Sequence, residues 1–404
     1  MHTYHLACMN SHLLTNARIV TPSENFKGTV EIENGIIVAI IKDRTYAEGI
    51  DLKGQWLVPG CIDIHTDYLE KELNPRSGAS FPLPFALHFM DARAASCGIT
   101  TVFSAVSFTD NEKKGRNLPE ALSLSQQIDA IRHSLLVRHF LHARIDPNCH
   151  AIIDYLEPMK QLESLYMVVY NDHIPGERQY TIEQQVDMRK QSFGISADEA
   201  LELLKQQIEL TKNINNRAPI YEAFREKYIL GSHDDTSVAH VEEGREYGST
   251  LSEMPTTMEA ARKARELGMW VCMGAPNYYR GGSHCGNISC SEAMDEDLVD
   301  ILCSDYHFPT MLGSVVKMME NGIGASRAIN MVSLNPAKLL RFDHEIGSIE
   351  VGKKADIIVF DSKKSFAAVS YAFVDGINKF TANYAEHIPY LQTGQKATNA
   401  LIDK

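Results

Sequence analysis

The sequence predicts an α/β protein: a (β/α)8 TIM-like barrel carrying a small β-sandwich domain formed from both termini. Three observations predict it. Short apolar strands alternate with helical segments through the centre, the pattern of βα units around a parallel sheet. Eight such strands can be counted, which fits a closed barrel better than an open sheet. Both ends of the chain are β-rich and turn-rich, as expected if they join in one domain.

The elements follow in order. Ala17-Arg18-Ile19-Val20 is a short apolar run, and Gly28-Thr29-Val30-Glu31-Ile32-Glu33 alternates as a half-buried strand does. Asn34-Gly35 supplies a hairpin turn before the strand from Ile36 to Ile41. Barrel strands are predicted to end near His65, Phe103, His142, Tyr170, Leu230, Leu251, Cys272 and Leu302. Helices are predicted at Pro84–Cys97, Pro119–Arg138, Thr181–Asn213, Thr256–Leu267 and Pro309–Glu320, the third long enough to be two. Gly347 to Lys354 is turn-rich and Ala355 to Phe360 is a strand. The composite β domain is therefore expected over 1–58 plus 346–404, and the barrel over 59–345.

Composition narrows the function. The 404 residues are 44% hydrophobic and 23% charged, values of a folded chain with a substantial core, which excludes disordered, collagen-like and coiled-coil proteins. A net charge of −13 argues against a nucleic-acid partner, whose binders usually present a basic face. It leaves room for an anionic small molecule held by a few arginines in a cleft. The eight cysteines form no C-x-x-C pair and read as reduced thiols. Met1 to Leu14 has no sustained apolar run, and no stretch reaches the roughly 18 apolar residues of a spanning helix. A soluble, cytoplasmic protein without a membrane partner is expected.

In parallel barrels the active site lies at the C-terminal strand ends, and here those ends are polar. The first reads Ile62-Asp63-Ile64-His65-Thr66-Asp67. His65 and Asp67, two apart on a strand, face the same way and make a half-site for a divalent metal. The third end gives His142-Ala143-Arg144-Ile145-Asp146, the fourth Asn171-Asp172-His173, the fifth Ser232-His233-Asp234-Asp235 and the eighth Ser304-Asp305-Tyr306. A single buried histidine reads as a core residue, but such groups at five ends require partners or a metal, because burying them alone is costly. Glu253, at the sixth end, reads equally well as a metal-linked carboxylate or a helix N-terminal one.

These residues amount to a resemblance. Val58-Pro59-Gly60-Cys61-Ile62-Asp63-Ile64-His65, Asp305 on the last strand and the Gly347 to Asp356 stretch are similar to the amidohydrolase superfamily. Leu69-Glu70-Lys71, Asp172-His173 before Pro175-Gly176, Ser232 to Thr236, Ala275-Pro276-Asn277 and Arg280-Gly281-Gly282-Ser283-His284 narrow it to the phosphonate-degradation diphosphatases, from about residue 14 to about 385. The resemblance implies a metal-dependent enzyme that hydrolyses a ribosyl triphosphate to the 5-phosphate and pyrophosphate, and a homo-oligomer. Asp67 stands where most of the superfamily carries a second histidine, and His65-Thr66-Asp67 is part of the likeness to the diphosphatases; two positions depart from these, Tyr68 from an expected asparagine and Asp146 from an expected glutamate.

The substrate side has its own chemistry. Arginine matches phosphate oxygens bidentately, and the Arg280 to His284 loop follows the seventh strand, where barrels often bind phosphate. The expected metal ligands are His65, Asp67, His173, His233 and Asp305, with Asp146 as a bridging or second ligand. Asp305 and His233 are the expected catalytic groups, Asp305 orienting or deprotonating the water. His142, Arg144, Arg178, Asn277, Arg280 and His284 are expected to bind the phosphates. One or two divalent ions are implied, zinc from the histidines or manganese or magnesium from the carboxylates. Two alternatives stand beside this reading: an amidohydrolase acting on a cyclic amide or N-acyl compound, and a metal-free barrel serving as an interaction subunit.

Overall fold

The structure, a computed structural model, describes residues 11–384 apart from 77, 111–116, 173, 175, 177, 179–180, 212, 284–285 and 364–365. The outer ends of the expected composite domain, 1–10 and 385–404, lie outside the described residues. β1 (Ser11–Val20), β2 (Asn25–Glu33) and β3 (Ile36–Lys42) form an antiparallel meander. Its second turn is the expected one: Asn34 and Gly35 have φ of 52° and 83°, the two positive values a tight hairpin needs. β4 (Ile50–Asp51) and β5 (Trp56–Pro59) then run parallel to β1.

Gly60 separates β5 from the barrel and has no alternative, because a Cβ there would stand 2.1 Å from Thr100 Oγ1. The barrel strands follow: β6 (Cys61–Thr66), β7 (Ile99–Phe108), β8 (Arg138–Ile145), β9 (Leu165–Tyr170), β10 (Ile229–His233), β11 (Leu251–Glu253), β12 (Trp270–Gly274) and β13 (Ile301–Cys303). They lie side by side in chain order, all parallel. The ring is drawn together between its first and last strands. Thr66 bridges Asp305, Asp305 N donates to His65 O at 3.1 Å, and Asp67 N donates to Asp305 O at 2.7 Å. Below them, buried Asp63 accepts from Ser304 N at 2.9 Å and Ser304 Oγ at 2.5 Å.

β14 (Ile357–Lys363) lies antiparallel to β5, and β15 (Phe366–Val374) and β16 (Ile377–Thr381) complete an eight-stranded sheet from both ends of the chain. One face, with Ile19, Val30, Ile32, Leu57, Ile357 and Phe373, is wholly buried in a core that contains no helix residue. The sheet must therefore curl over its own side chains, as a sandwich does. The other face, including Val58, Ile358, Phe360 and Val369, packs into the larger core beneath the barrel helices.

The long predicted helical stretch is two helices, Ile182–Phe193 and Ala197–Thr211. Gly194, at φ 65°, ends the first in the left-handed cap that glycine adopts without strain. The predicted Pro119–Arg138 helix ends at Ile131 and tightens into a 3-10 turn over Arg132–Ser134; the chain is extended at Leu135, and β8 begins at Arg138. Among the described residues, no helix is long and apolar enough to cross a membrane.

Arg138, at the base of β8, ties the two parts together. Its guanidinium pairs with both oxygens of Asp356, the longer contact at 3.0 Å, and with Asp375, while Asp356 also accepts from Asp375 N at 2.9 Å. The Asp356 side chain is 2% exposed, and cutting it back takes one of two carboxylate partners from the half-buried Arg138. Asp356→Ala is expected to lower unfolding free energy by about 1.5–3 kcal/mol in urea titration; an unchanged midpoint would show that the pairing does not hold the two parts together.

Candidate metal centre and its cleft

Side-chain alternation decides what reaches the lumen. On β8, Phe140, His142 and Arg144 face inward while Leu141, Ala143 and Ile145 join the outer core. The inner column thus passes from apolar to imidazole to guanidinium on rising toward the mouth. β10 brings His233 inward at its end, and β11, paired in register with it, brings Glu253. β6 carries a register shift between Asp63 and Thr66, and beside it both Ile64 and His65 are buried toward the lumen.

These residues converge on Glu253, whose carboxylate is fully buried. His65 Nδ1 lies 3.0 Å from Glu253 Oε2, and His142 Nε2 and His233 Nδ1 lie 3.7 Å from it. None of these approaches has hydrogen-bond geometry. Both Glu253 oxygens, His65 Nδ1 and His142 Nε2 lack a hydrogen-bond partner among the described residues. Buried polar atoms are normally satisfied, and four that converge without partners fit a cation between them.

The electrostatics agree. Burial opposes ionisation of Glu253, yet the imidazoles of His65 and His142 hold its carboxyl well below the usual range. Burial also disfavours a charged His65, but Glu253 and Asp67 at its two nitrogens raise its pKa well above 6.5. His142 is pushed down by burial to about 4, so it offers a lone pair at neutral pH. A proton on His65 and a divalent ion compete for the same negative ground.

Two donor sets meet the distance requirement of a metal site, with ligand atoms within 4.8 Å of one another: His65, His142 and Glu253 deep in the lumen, and His65, Asp67 and Asp305 nearer the mouth. Asp305 sits beyond β13 at φ 54°, and burial raises its carboxyl to about 6. Asp234 and Met254, which follow His233 and Glu253, share this left-handed turn at 56° and 54°. Non-glycine residues seldom adopt it, and such strain gathers at functional sites.

The ring opens into a cleft of two adjoining compartments, both lined by Asp234, Met254, Asp305 and Tyr306. The one above the metal ring, about 430 Å³, adds Lys71 and Arg144, and the other adds Asn277, Arg280, Gly282 and Ser283. Asn277 braces this second wall by donating to Ile288 O at 3.0 Å and accepting from Cys290 N at 2.9 Å.

Of the residues singled out in the sequence, His65, Asp67, His142, Arg144, His233 and Asp305 come together, and Asn277 and Arg280 line the cleft. His142, expected on the phosphate side, lies among the candidate metal donors, 3.7 Å from Glu253 Oε2. Asp146 does not join: beyond the end of β8 its carboxylate turns back to Asn148 N at 2.9 Å and Thr109 Oγ1 at 3.1 Å. Arg178 is likewise diverted, to Asp235 Oδ1 at 2.8 Å and His233 O at 3.1 Å, in a buried network behind the ring. His173 and His284 lie outside the described residues. Glu253, which the sequence leaves open between a metal-linked and a helix N-terminal carboxylate, lies at the centre of these donors; its alternation with Leu251 on the same lumen-facing register is the signal that points to it.

A divalent ion in the ring would bind the folded chain alone, so its removal should weaken the fold. Dialysis against a chelator is expected to lower the melting temperature, and added zinc or manganese to restore it. At a thousandfold excess over Kd the difference is about 4 kcal/mol. Identical melting curves before and after chelation would contradict a metal centre.

Comparison with known proteins gives the same reading. Residues 223–383 match the model of the Amidohydrolase family. The chain is 32% identical over 381 residues to the alpha-D-ribose 1-methylphosphonate 5-triphosphate diphosphatase of Escherichia coli K12, covering 91% of this chain and 100% of that one. The dihydropyrimidinase of Brevibacillus agri superposes with a TM-score of 0.58 at 15% identity, over 91% of this chain and 94% of that one. The N-acetylglucosamine-6-phosphate deacetylase of Pasteurella multocida does so at 0.54 and 16%, over 92% and 100%. With the barrel, the strand-end ring and a relative matched from end to end, the chain belongs to the amidohydrolase family.

Proposed function

We propose that the protein is a metal-dependent hydrolase that cleaves a ribosyl triphosphate of the α-D-ribose 1-methylphosphonate 5-triphosphate type, releasing pyrophosphate. The observation that carries this is the match to the Escherichia coli diphosphatase over that enzyme's whole length. The cleft supports it with cations on both sides of the metal ring: Lys71 in one compartment, Arg280 in the other. The dihydropyrimidinase likeness is one of fold, at 15% identity, and a neutral cyclic amide would leave those cations without a role.

A divalent ion in the ring would supply Lewis acidity toward a phosphoryl oxygen and acidify a water. The side chains do the rest. Asp305, raised by burial to about 6 and lining both compartments, is placed to orient the attacking water and take its proton. Arg280 can reach across the cleft, since its guanidinium is exposed and touches Tyr306 Oη at 3.4 Å. Backbone beside Gly282 allows close approach of a phosphate, and Lys71, held near Tyr306 O at 3.2 Å, neutralises charge at the opposite side. Arg178 works at one remove by gripping the carbonyl of His233.

Metal-loaded protein supplied with the ribosyl triphosphate should release pyrophosphate, followed by phosphorus NMR. Asp305→Asn should lower kcat by about 10²- to 10⁴-fold. Arg280→Ala, which removes a charge-assisted hydrogen bond, should raise KM by about tenfold. Turnover of dihydrouracil with no pyrophosphate from the triphosphate would replace this reading with the cyclic-amide one.

A further inference from the structure

We propose that the centre holds one divalent ion per chain, in the inner set, and that Asp67 is an outer carboxylate orienting His65 rather than a ligand. This rests on the metal reading of the ring and is independent of the substrate proposed above.

The two donor sets share His65. An imidazole that binds an ion without losing its last N–H proton has one lone pair, at Nδ1 or Nε2. His65 faces Glu253 with Nδ1 and Asp67 with Nε2, so it can serve the inner set or the outer one, not both. The neighbours decide which. His142 Nδ1 lies 3.0 Å from Ile64 O, an acceptor, so this nitrogen carries the proton and Nε2 turns a lone pair on Glu253. Glu253 itself has no hydrogen-bonded proton on either oxygen among the described residues. The inner set thus presents an imidazole lone pair and a carboxylate whose two oxygens accept no hydrogen bond among the described residues.

One carboxylate of the outer set already has its counter-charge. Arg144 Nη1 donates to Asp67 Oδ1 at 2.8 Å. Arg144 is itself oriented by Asn171, whose amide oxygen, turned toward it, accepts from Nη2 and Nε at 2.7 Å. A guanidinium keeps its charge at any working pH, so a permanent cation stands where a second ion would draw on Asp67. With Nδ1 given to the inner ion, the Nε2 proton of His65 points at Asp67, 3.6 Å away. That is the carboxylate–histidine–metal order in which an outer carboxylate fixes the tautomer of a ligand. The change from histidine to aspartate noted in the sequence is then not a substitute ligand. It exchanges a ligand for an orienting group, with Arg144 as its counter-charge.

Metal-stripped whole protein titrated with zinc chloride in a calorimeter, with elemental analysis after desalting, tests this without any turnover. One equivalent per chain is expected for the wild type. Asp67→Asn should still bind one equivalent, with affinity lower by about 10- to 100-fold. Glu253→Gln should lose the ion, and Arg144→Lys should keep the single equivalent. Two tightly held equivalents in the wild type overturn the proposal whatever the variants do. So does loss of the ion in Asp67→Asn together with its retention in Glu253→Gln. A clean single-ion isotherm in a protein that ignores the triphosphate would sink only the substrate reading.

Discussion

A carboxylate with no exposed surface sits among three imidazoles inside a barrel, and the rest of the site is arranged around that fact. Taking an ion such as Glu253 out of water costs several kcal/mol even after relaxation. Nothing in a hydrocarbon lumen offsets this, so the upper half of the barrel cannot be built from apolar layers. Each strand that points at Glu253 instead supplies a nitrogen, and the backbone beyond turns sharply away at Asp234, Met254 and Asp305. The strand ends are strained because the chain must leave the ring as soon as it has contributed to it.

The arginines divide their labour by depth. Arg178 and Arg217 are spent on Asp172 and Asp235 behind β10, and Asp235 also gathers the hydroxyls of Ser232 and Ser252 at 2.5 and 3.0 Å. This buried network fixes the segment that carries His233. Arg144 is spent on Asp67. Arg280 is left at the surface of the cleft, where an anionic ligand can still compete for it. A guanidinium suits the inner tasks because it stays charged and presents several donors in one plane. It can bind a ligand only where no internal carboxylate has claimed it.

That division explains what was legible in the sequence. Most of the eight strands could be read because they contain short apolar runs bounded by turn chemistry, whereas the sixth, expected to end near Leu251, begins there and carries one apolar residue; the Asn34-Gly35 hairpin could be read because both residues tolerate positive φ. His65, His233 and Asp305 could be read because histidine and aspartate at strand ends seldom lack a function. Internal partners were harder to foresee. No local pattern says that Arg178 will meet Asp235, 57 positions on, or that Asp146 will fold back on Asn148 once its strand has ended. Glu253 was ambiguous for a geometric reason: β11 is only three residues long, so its last residue is also close to the next helix. Phe140, His142 and Arg144 did carry the signal that places His142 in the ring, since a strict alternation puts all three on one side of the strand.

The barrel therefore has two halves with different sources of cohesion. At its floor Phe103, Phe140, Tyr166 and Phe342 stack against one another, with ring centroids 4.9–5.6 Å apart in successive contacts. Such packing holds without any added ion. At its rim, β11 and β13 are three residues each, and the first and last strands are joined by the Thr66–Asp305 bridge and the Asp63–Ser304 clamp. The rim has few backbone bonds to spare, and four buried polar atoms of its side chains lack hydrogen-bond partners among the described residues. A cation in the ring would join β6, β8 and β11 through those atoms, making the ion part of what keeps the rim closed. Aromatic packing at the floor leaves the rim free to be built from polar donors rather than apolar layers.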